Sequence, residues 1–176
     1  MTKIPQRLLG EALLNSAETN PSKTAIIAKG REYSYAELNN GASKLAAHIS
    51  STGIEKGSRV VLYMNNSWQC AVSIYSVTLA GMVFIVVNPQ TKADKLNYIL
   101  NNSGAKIVLS ENRLRFELEK ALKNANSVQE LIITGDAKEI ITTVKQSNFE
   151  AILEGENLDT EHHSVISNDL AALIYT

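Results

Sequence analysis

One cysteine among 176 residues excludes an internal disulfide, so the fold must be held by its hydrophobic core. Cys70 lies in an apolar, helix-like run and reads as a small buried hydrophobe, and its isolation fits a reducing, cytoplasmic setting. Excess positive charge is missing as well. Seventeen basic residues face eighteen acidic ones, and a chain without a basic face is not expected to bind nucleic acid. Histidine is scarce: His162 and His163 are neighbours whose side chains would point to opposite sides of an extended chain, and they read as surface loop residues. His48 is expected near the solvent side of its helix. No apolar block accompanies Met1 to Gln6, so no secretory signal is expected, and Asn65-Asn66-Ser67 and Asn101-Asn102-Ser103 carry no meaning as glycosylation acceptors.

Charge is absent altogether between Arg59 and Lys92. A membrane span is the first thought, but Asn65, Asn66, Gln69, Ser73 and Ser76 interrupt the run and Gly81 breaks it. It divides into strand, helix and strand, each of the length that a buried β-α-β unit needs. No membrane span is expected.

Periodicity extends that pattern along the chain. An apolar stripe of Leu8, Leu9, Ala12, Leu13 and Ala17 predicts a helix from Pro5 to Thr19, stopped at Asn20-Pro21. Thr24 to Ala28 and Glu32 to Ser34 read as an antiparallel hairpin turning at Lys29-Gly30. Ser34 and Glu37 form a capping box for a helix that ends at Gly53. Strands follow at Arg59 to Met64, Val83 to Val87, Lys106 to Leu109 and Leu131 to Thr134. Helices are expected between them, capped by Asn66 or Ser67, by Thr91 and by Ser110. Ala137 to Gln146 reads as a further helix, Ser147 with Glu150 as the cap of a short one, and Gly155 to Asn168 as a loop. Asp169 to Thr176 reads as a last strand, five of whose final seven residues are aliphatic. The fold class implied is α/β: a mostly parallel sheet with helices on both faces and a small hairpin near the amino terminus.

Chemistry is harder to find. No G-x-G-x-x-G, no G-x-x-x-x-G-K-[ST] and no G-x-S-x-G occurs. Gly53 and Gly57 flank Lys56, but they join a helix to the next strand and read as turn glycines. No acidic pair stands alone in an apolar context, and Trp68 and the six tyrosines look too scattered for a stacking platform. No complete catalytic constellation is present. Ligands of open α/β sheets sit beyond the carboxyl ends of the strands. A chain ending at such a strand is therefore expected to stop where its active site would begin.

Four segments in order carry a resemblance. Thr24-Ala25-Ile26-Ile27 with Tyr33-Ser34-Tyr35-Ala36-Glu37-Leu38 resembles the opening L-T-Y-x-E-L signature of adenylate-forming enzymes, which include acyl-CoA synthetases, adenylation domains and luciferases. Leu79 to Pro89 resembles their L-K-A-G-x-x-x-V-P-L-N/D-P signature, with Thr78 where lysine is common and Val86 in place of proline. Tyr98-Ile99-Leu100 and Ser103-Gly104-Ala105-Lys106 resemble the stretch that follows. Asp169 to Thr176 resembles the strand that leads into Y-T-S-G-T-T-G-x-P-K-G.

The resemblance implies that residues 1–176 form the amino-terminal subdomain of an AMP-binding domain. It implies an AMP-forming acid–thiol ligase of fatty acid metabolism. A carboxylic acid substrate attacks ATP, with Mg2+, to give an acyl-adenylate, and coenzyme A then displaces AMP. It also implies that Thr176 is the first threonine of the ATP phosphate loop, the one site residue carried over. No catalytic residue and no metal ligand is assigned. Asn88-Pro89-Gln90-Thr91-Lys92-Ala93-Asp94 departs from the D-P-x-Y-P-x-x-R of peptide-synthetase adenylation domains, which favours a coenzyme A ligase. Two alternatives stay open: an enzyme that loads a carrier protein, and a stand-alone, non-catalytic α/β interaction module. As a fragment, the chain is expected to be inactive alone, to bind none of these cofactors and to self-associate through its exposed face.

Overall fold

The computed structural model describes residues 8–136, 140–156 and 163–175. Helix α1 spans Leu9–Thr19, and the hairpin β1 (Thr24–Ala28) and β2 (Arg31–Ser34) follows it. Next come α2 (Tyr35–Ser51), β3 (Arg59–Tyr63), α3 (Trp68–Leu79), β4 (Val83–Val87) and α4 (Ala93–Ser103). The remaining elements are β5 (Ile107–Glu111), a 3-10 turn at Asn112–Leu114, α5 (Arg115–Leu122), β6 (Glu130–Thr134), β7 (Lys145–Asn148) and α6 (Phe149–Glu154). The α/β class expected from the sequence is what forms, hairpin included.

Strands β3 to β7 make one parallel sheet in the order β4-β3-β5-β6-β7. Winding runs one way from β3 to β4, then reverses across β3 to β5 and on to β6. Crossovers of constant hand must place their helices on opposite faces when the winding reverses. The core obeys this. Val60, Leu62, Ile107, Leu109 and Ile132 point to a first cluster shared with α2, α3 and Phe149. Their alternate neighbours Val61, Tyr63, Ile85, Val108, Leu131 and Ile133 point to a second cluster, with Leu96, Ile99 and Leu100 of α4 and Leu118, Ala121 and Leu122 of α5. Both faces are covered over β3, β5 and β6, so these central strands are buried almost continuously, while β7 at the edge is polar and mostly exposed. Each large aliphatic side chain buried this way contributes about 1.5–3 kcal/mol.

Helix ends show where local signals won and lost. Ser34 accepts from the Glu37 N–H at 3.2 Å while the Glu37 carboxylate accepts from the Ser34 N–H at 2.7 Å, the capping box the sequence predicts. Ser67 caps α3 by accepting from the Cys70 N–H. Gly104 ends α4 in the left-handed conformation with φ 63°, where a Cβ would stand 3.0 Å from the Arg59 guanidinium. The predicted Thr91 cap does not form. The N-cap is Lys92, and the free N–H of Ala93 is taken by the Glu117 carboxylate of α5 at 2.8 Å. Ser110 is not a cap either. It stays inside β5, fully buried, and donates to the Tyr63 carbonyl at 2.7 Å, so the helix starts later, after the 3-10 turn. Asn148, not Ser147, caps α6, because the Ser147 hydroxyl turns to Glu130 instead.

Two larger differences concern the carboxyl-terminal third. Residues 140–146 of the helix predicted from Ala137 are not helical. Gln146 reaches back to bond both the N–H and the carbonyl of Ile140, and Lys145–Asn148 joins the sheet as β7. Residues 137–139 lie outside the described ones. The last predicted strand is reduced to a single parallel bridge, Phe84 with Ala172, made by Phe84 N–H to Ala171 carbonyl and Leu173 N–H to Phe84 carbonyl, both 3.0 Å. No described helix is long and apolar enough to cross a membrane.

Candidate functional site at the carboxyl ends of the strands

The sheet order, relabelled from its first strand, is 2-1-3-4-5, and its winding reverses between β3 and β5. A crevice opens there at the carboxyl ends, because the two flanking connections leave in opposite directions. A cavity of about 340 Å³ occupies this end of the sheet, lined by Lys29, Ser67, Gln69, Glu111, Arg113 and Asp136 among others. Its walls are the end of β5, the start of α3 and the loop after β6.

Glu111 organises the rim. Its carboxylate accepts from the Asn65 N–H at 2.9 Å, from the Asn65 side-chain amide and from the Arg113 guanidinium. Burial opposes ionisation of Glu111, but these hydrogen bonds outweigh it and hold the carboxyl below the usual carboxylate range. The β3–α3 loop is thereby tied to the end of β5 across the reversal. Arg115 lies over the Phe116 ring at 4.3 Å on the next turn. The crevice offers charged groups and the amino terminus of α3 to a polar ligand. Among the described residues its lining holds no histidine or cysteine to act as base or nucleophile.

The final segment adds an edge to this end of the sheet. With Ala172 beside Phe84, the same register would place Tyr175 beside Val87, the last residue of β4. Leu173 and Tyr175 pack on the second core cluster. The Tyr175 hydroxyl donates to Asn102 Oδ1 at 2.7 Å, and its ring meets Tyr98 edge-on at 6.5 Å. Thr176, the candidate phosphate-loop residue, lies outside the described residues, as does His162.

Other residues singled out from the sequence fall elsewhere. Gly53 and Gly57 sit in turns with φ 74° and 75° at the amino end of β3, as expected. His163 Nε2 lies 3.3 Å from the Ile54 carbonyl. Cys70 is buried, and burial first, then the Glu111 charge, pushes its thiol pKa up. His48 is not on the solvent side. Its Nε2 lies 2.8 Å from the buried Glu130 carboxylate, which Ser147 and Lys145 also bond. Burial alone would raise the pKa of Glu130, yet hydrogen bonds from His48, Ser147 and Lys145, with the charge of His48, hold it at about 2. This cluster sits at the amino ends of β6 and β7, far along the sheet from the crevice, and ties α2 to the strands. Tyr33 and Trp68 are not scattered either. They stack at 4.1 Å with Arg31 over Tyr33, pinning the hairpin to α3.

A larger cavity of about 700 Å³ lies at the other end, between α1 and residues 163–171. Leu9, Leu14, Leu79, Met82 and Leu170 make it mostly apolar, and the Lys56–Asp169 pair at 2.6 Å crosses it. It faces the amino ends of β3 and β4, away from the winding reversal. Among the described residues no group of three metal-ligating side chains converges.

Known proteins share the sequence pattern and the fold. Residues 13–176 match the family described as AMP-binding enzyme. The long-chain-fatty-acid–CoA ligase of Bacillus subtilis strain 168 is 30% identical over 131 residues, 74% of this chain and 23% of that protein. Tyrocidine synthase 1 of Brevibacillus parabrevis is 29% identical over 165 residues, 91% of this chain and 13% of the synthase. The crystal structure of the anthranilate CoA ligase AuaEII with anthranoyl-AMP superposes with a TM-score of 0.86 at 18% identity, covering 96% of this chain and 32% of that one. A benzoate CoA ligase from Burkholderia xenovorans LB400 gives 0.78 at 23% identity, covering 94% and 32%. The chain thus spans about a quarter or less of these curated relatives and a third of these solved chains.

Proposed function

Because the chain belongs to the AMP-binding enzyme family, we propose that it is the amino-terminal subdomain, residues 1–176, of a cytoplasmic acyl-CoA ligase. The observation that carries this reading is the final segment: it docks on the free edge of β4 and heads for the carboxyl end of the sheet. Thr176 would open a loop of glycines and hydroxyls around the phosphates of ATP, where backbone N–H groups can hold an anion. The carboxylic acid substrate then attacks the α-phosphorus, the bond to the bridging oxygen breaks, and pyrophosphate leaves with the electron pair. The thiol of coenzyme A next displaces AMP from the acyl-adenylate. Mg2+ would neutralise phosphate charge in the first step. The described residues show no cluster fitted to hold it, so no step through the metal is assigned to them.

The role of this subdomain is to build the wall from which the loop projects. The isolated chain is therefore inactive in ATP–pyrophosphate exchange, while the whole protein is active with at least one acid of a carboxylate panel. Clear turnover by residues 1–176 alone, or silence of the whole protein across the panel, would refute the reading. Val86, Leu170 and Ile174 stand exposed along the free edge, so the isolated chain self-associates as its concentration rises. A sedimentation profile that stays monomeric contradicts that.

A second reading has its own support, since one relative is the phosphinothricin tripeptide synthetase PhsC of Streptomyces viridochromogenes. In it the adenylate is loaded on a carrier protein. The Asn88-Pro89-Gln90-Thr91 segment, unlike the synthetase pattern, favours coenzyme A. AMP release stimulated by coenzyme A, and not by a phosphopantetheinyl carrier, separates the two.

A further inference from the structure

The segment that leads to the proposed nucleotide loop is weakly held by its backbone. A parallel strand beside β4 would continue the ladder with Val86 N–H to the Leu173 carbonyl and Tyr175 N–H to the Val86 carbonyl. Among the described residues the ladder stops at the Leu173 N–H bond to Phe84. The carboxyl half of the segment is fixed by side chains instead. Leu173 and Tyr175 alternate onto the α4 side, while Ile174 between them is exposed. Tyr175 crosses to α4, donates to Asn102 at 2.7 Å, and rests edge-on against Tyr98. Asn102 is exposed on the last turn of a helix whose opposite face, Leu96, Ile99 and Leu100, is locked in the core. The helix is a rigid post, and Asn102 is the hook on it.

We propose that Asn102, through the Tyr175 hydroxyl, is a positioning residue that sets where the nucleotide-binding segment leaves the sheet. This rests on the reading that residues after Tyr175 grip ATP. The single hydrogen bond is directional: it fixes the hydroxyl of Tyr175 and hence the backbone one residue before the loop. Loss of it leaves the loop intact but misplaced, so the binding of ATP suffers more than that of the acid. Neither Asn102 nor Tyr175 touches substrate in this account.

The test uses the whole protein in ATP–pyrophosphate exchange. Asn102→Leu removes the acceptor, Tyr175→Phe removes the donor, and Asn102→Asp keeps an acceptor oxygen. Asn102→Leu and Tyr175→Phe should each raise KM for ATP about fivefold, the scale of one neutral hydrogen bond. The KM for the carboxylic acid and the thermal midpoint should stay at wild-type values. Asn102→Asp should restore the ATP KM, and the Leu/Phe double variant should be no worse than either single one. Wild-type ATP KM in all variants overturns the proposal alone, because the enzyme would remain active. Equal losses in both KM values with a lowered thermal midpoint also overturn it, since that marks a merely structural contact. If the unsubstituted protein performs no exchange, the ligase reading fails first and the positioning role falls with it.

Discussion

Replacing Glu130 by glutamine should cost the chain stability in a way that depends on pH with a known sign. Glu130 is buried at the amino end of β6, and its carboxyl is held at about 2 by His48, Ser147 and Lys145 against the ordinary 4.5. A carboxyl with its folded pKa depressed contributes stability that is fully present above the unfolded value and is lost as pH falls toward the folded one. The window here runs from about 4.5 down to about 2. The gap corresponds to about 3 kcal/mol, an order-of-magnitude figure that agrees with the 3–5 kcal/mol typical of removing one partner from a buried ion pair. Glutamine keeps the shape but not the charge, leaving His48 with a weaker partner, while the mostly exposed Lys145 can turn to water. Urea unfolding of the chain at pH 7 should therefore show Glu130→Gln less stable by about 2–3 kcal/mol, a drop in Tm of about 4–12 °C for a chain of this size. The difference from wild type should stay level down to about pH 5 and shrink below it. A difference that stays constant to pH 3 would refute the reasoning, because it would mean that the lost interaction never depended on the carboxylate charge.

Ser34→Ala removes the reciprocal cap of α2 and should destabilise the chain by about 1 kcal/mol in the same urea assay, with Ser34→Gly milder. No loss in the alanine variant would mean that the hairpin, not the cap, fixes where α2 begins. Cys70, buried with its thiol pKa raised, should react with a thiol reagent only at the rate of unfolding, so its modification should accelerate steeply with urea. Prompt modification under native conditions would contradict the packing of α3.

What could be read from the sequence follows from the range of each interaction. Period and local caps belong to neighbouring residues, and so β1 to β6, α2, α3 and the glycine ends were legible. Thr91 and Ser110 misled because their positions look like caps, while the group that decides lies far along the chain: the Glu117 carboxylate accepts from the free Ala93 N–H of α4, and the Tyr63 carbonyl claims Ser110. Residues 140–146 read as a helix, but Glu130 of the neighbouring strand β6 bonds Lys145 and Ser147 and holds them beside it in the sheet. His48 was misplaced for the same reason. Of the candidate site, the ordered signatures were visible, and the Glu111 rim was not: Arg113 is a near neighbour of Glu111, but Asn65, the partner that ties the rim to the β3–α3 loop, meets it only after the sheet is wound.

The two ends of the sheet carry different loads, and this separates stability from function. At the amino ends, Glu130 is surrounded by partners from α2 and β7, and Arg59 reaches the carbonyls of Gly57 and Ser103. Those contacts satisfy groups that face each other across the packed elements. At the carboxyl ends, the winding reversal pulls the β3 and β5 connections apart and exposes charged groups to a crevice, with Glu111 tying the two sides together. The free edge of β4 brings Tyr175 to the same end with only part of its backbone ladder made. A fold built this way can lose a crevice contact without unfolding, and can lose Glu130 without altering the crevice. Substitutions at Glu130 should thus move the urea midpoint and not the ATP KM, and substitutions at Asn102 should do the reverse.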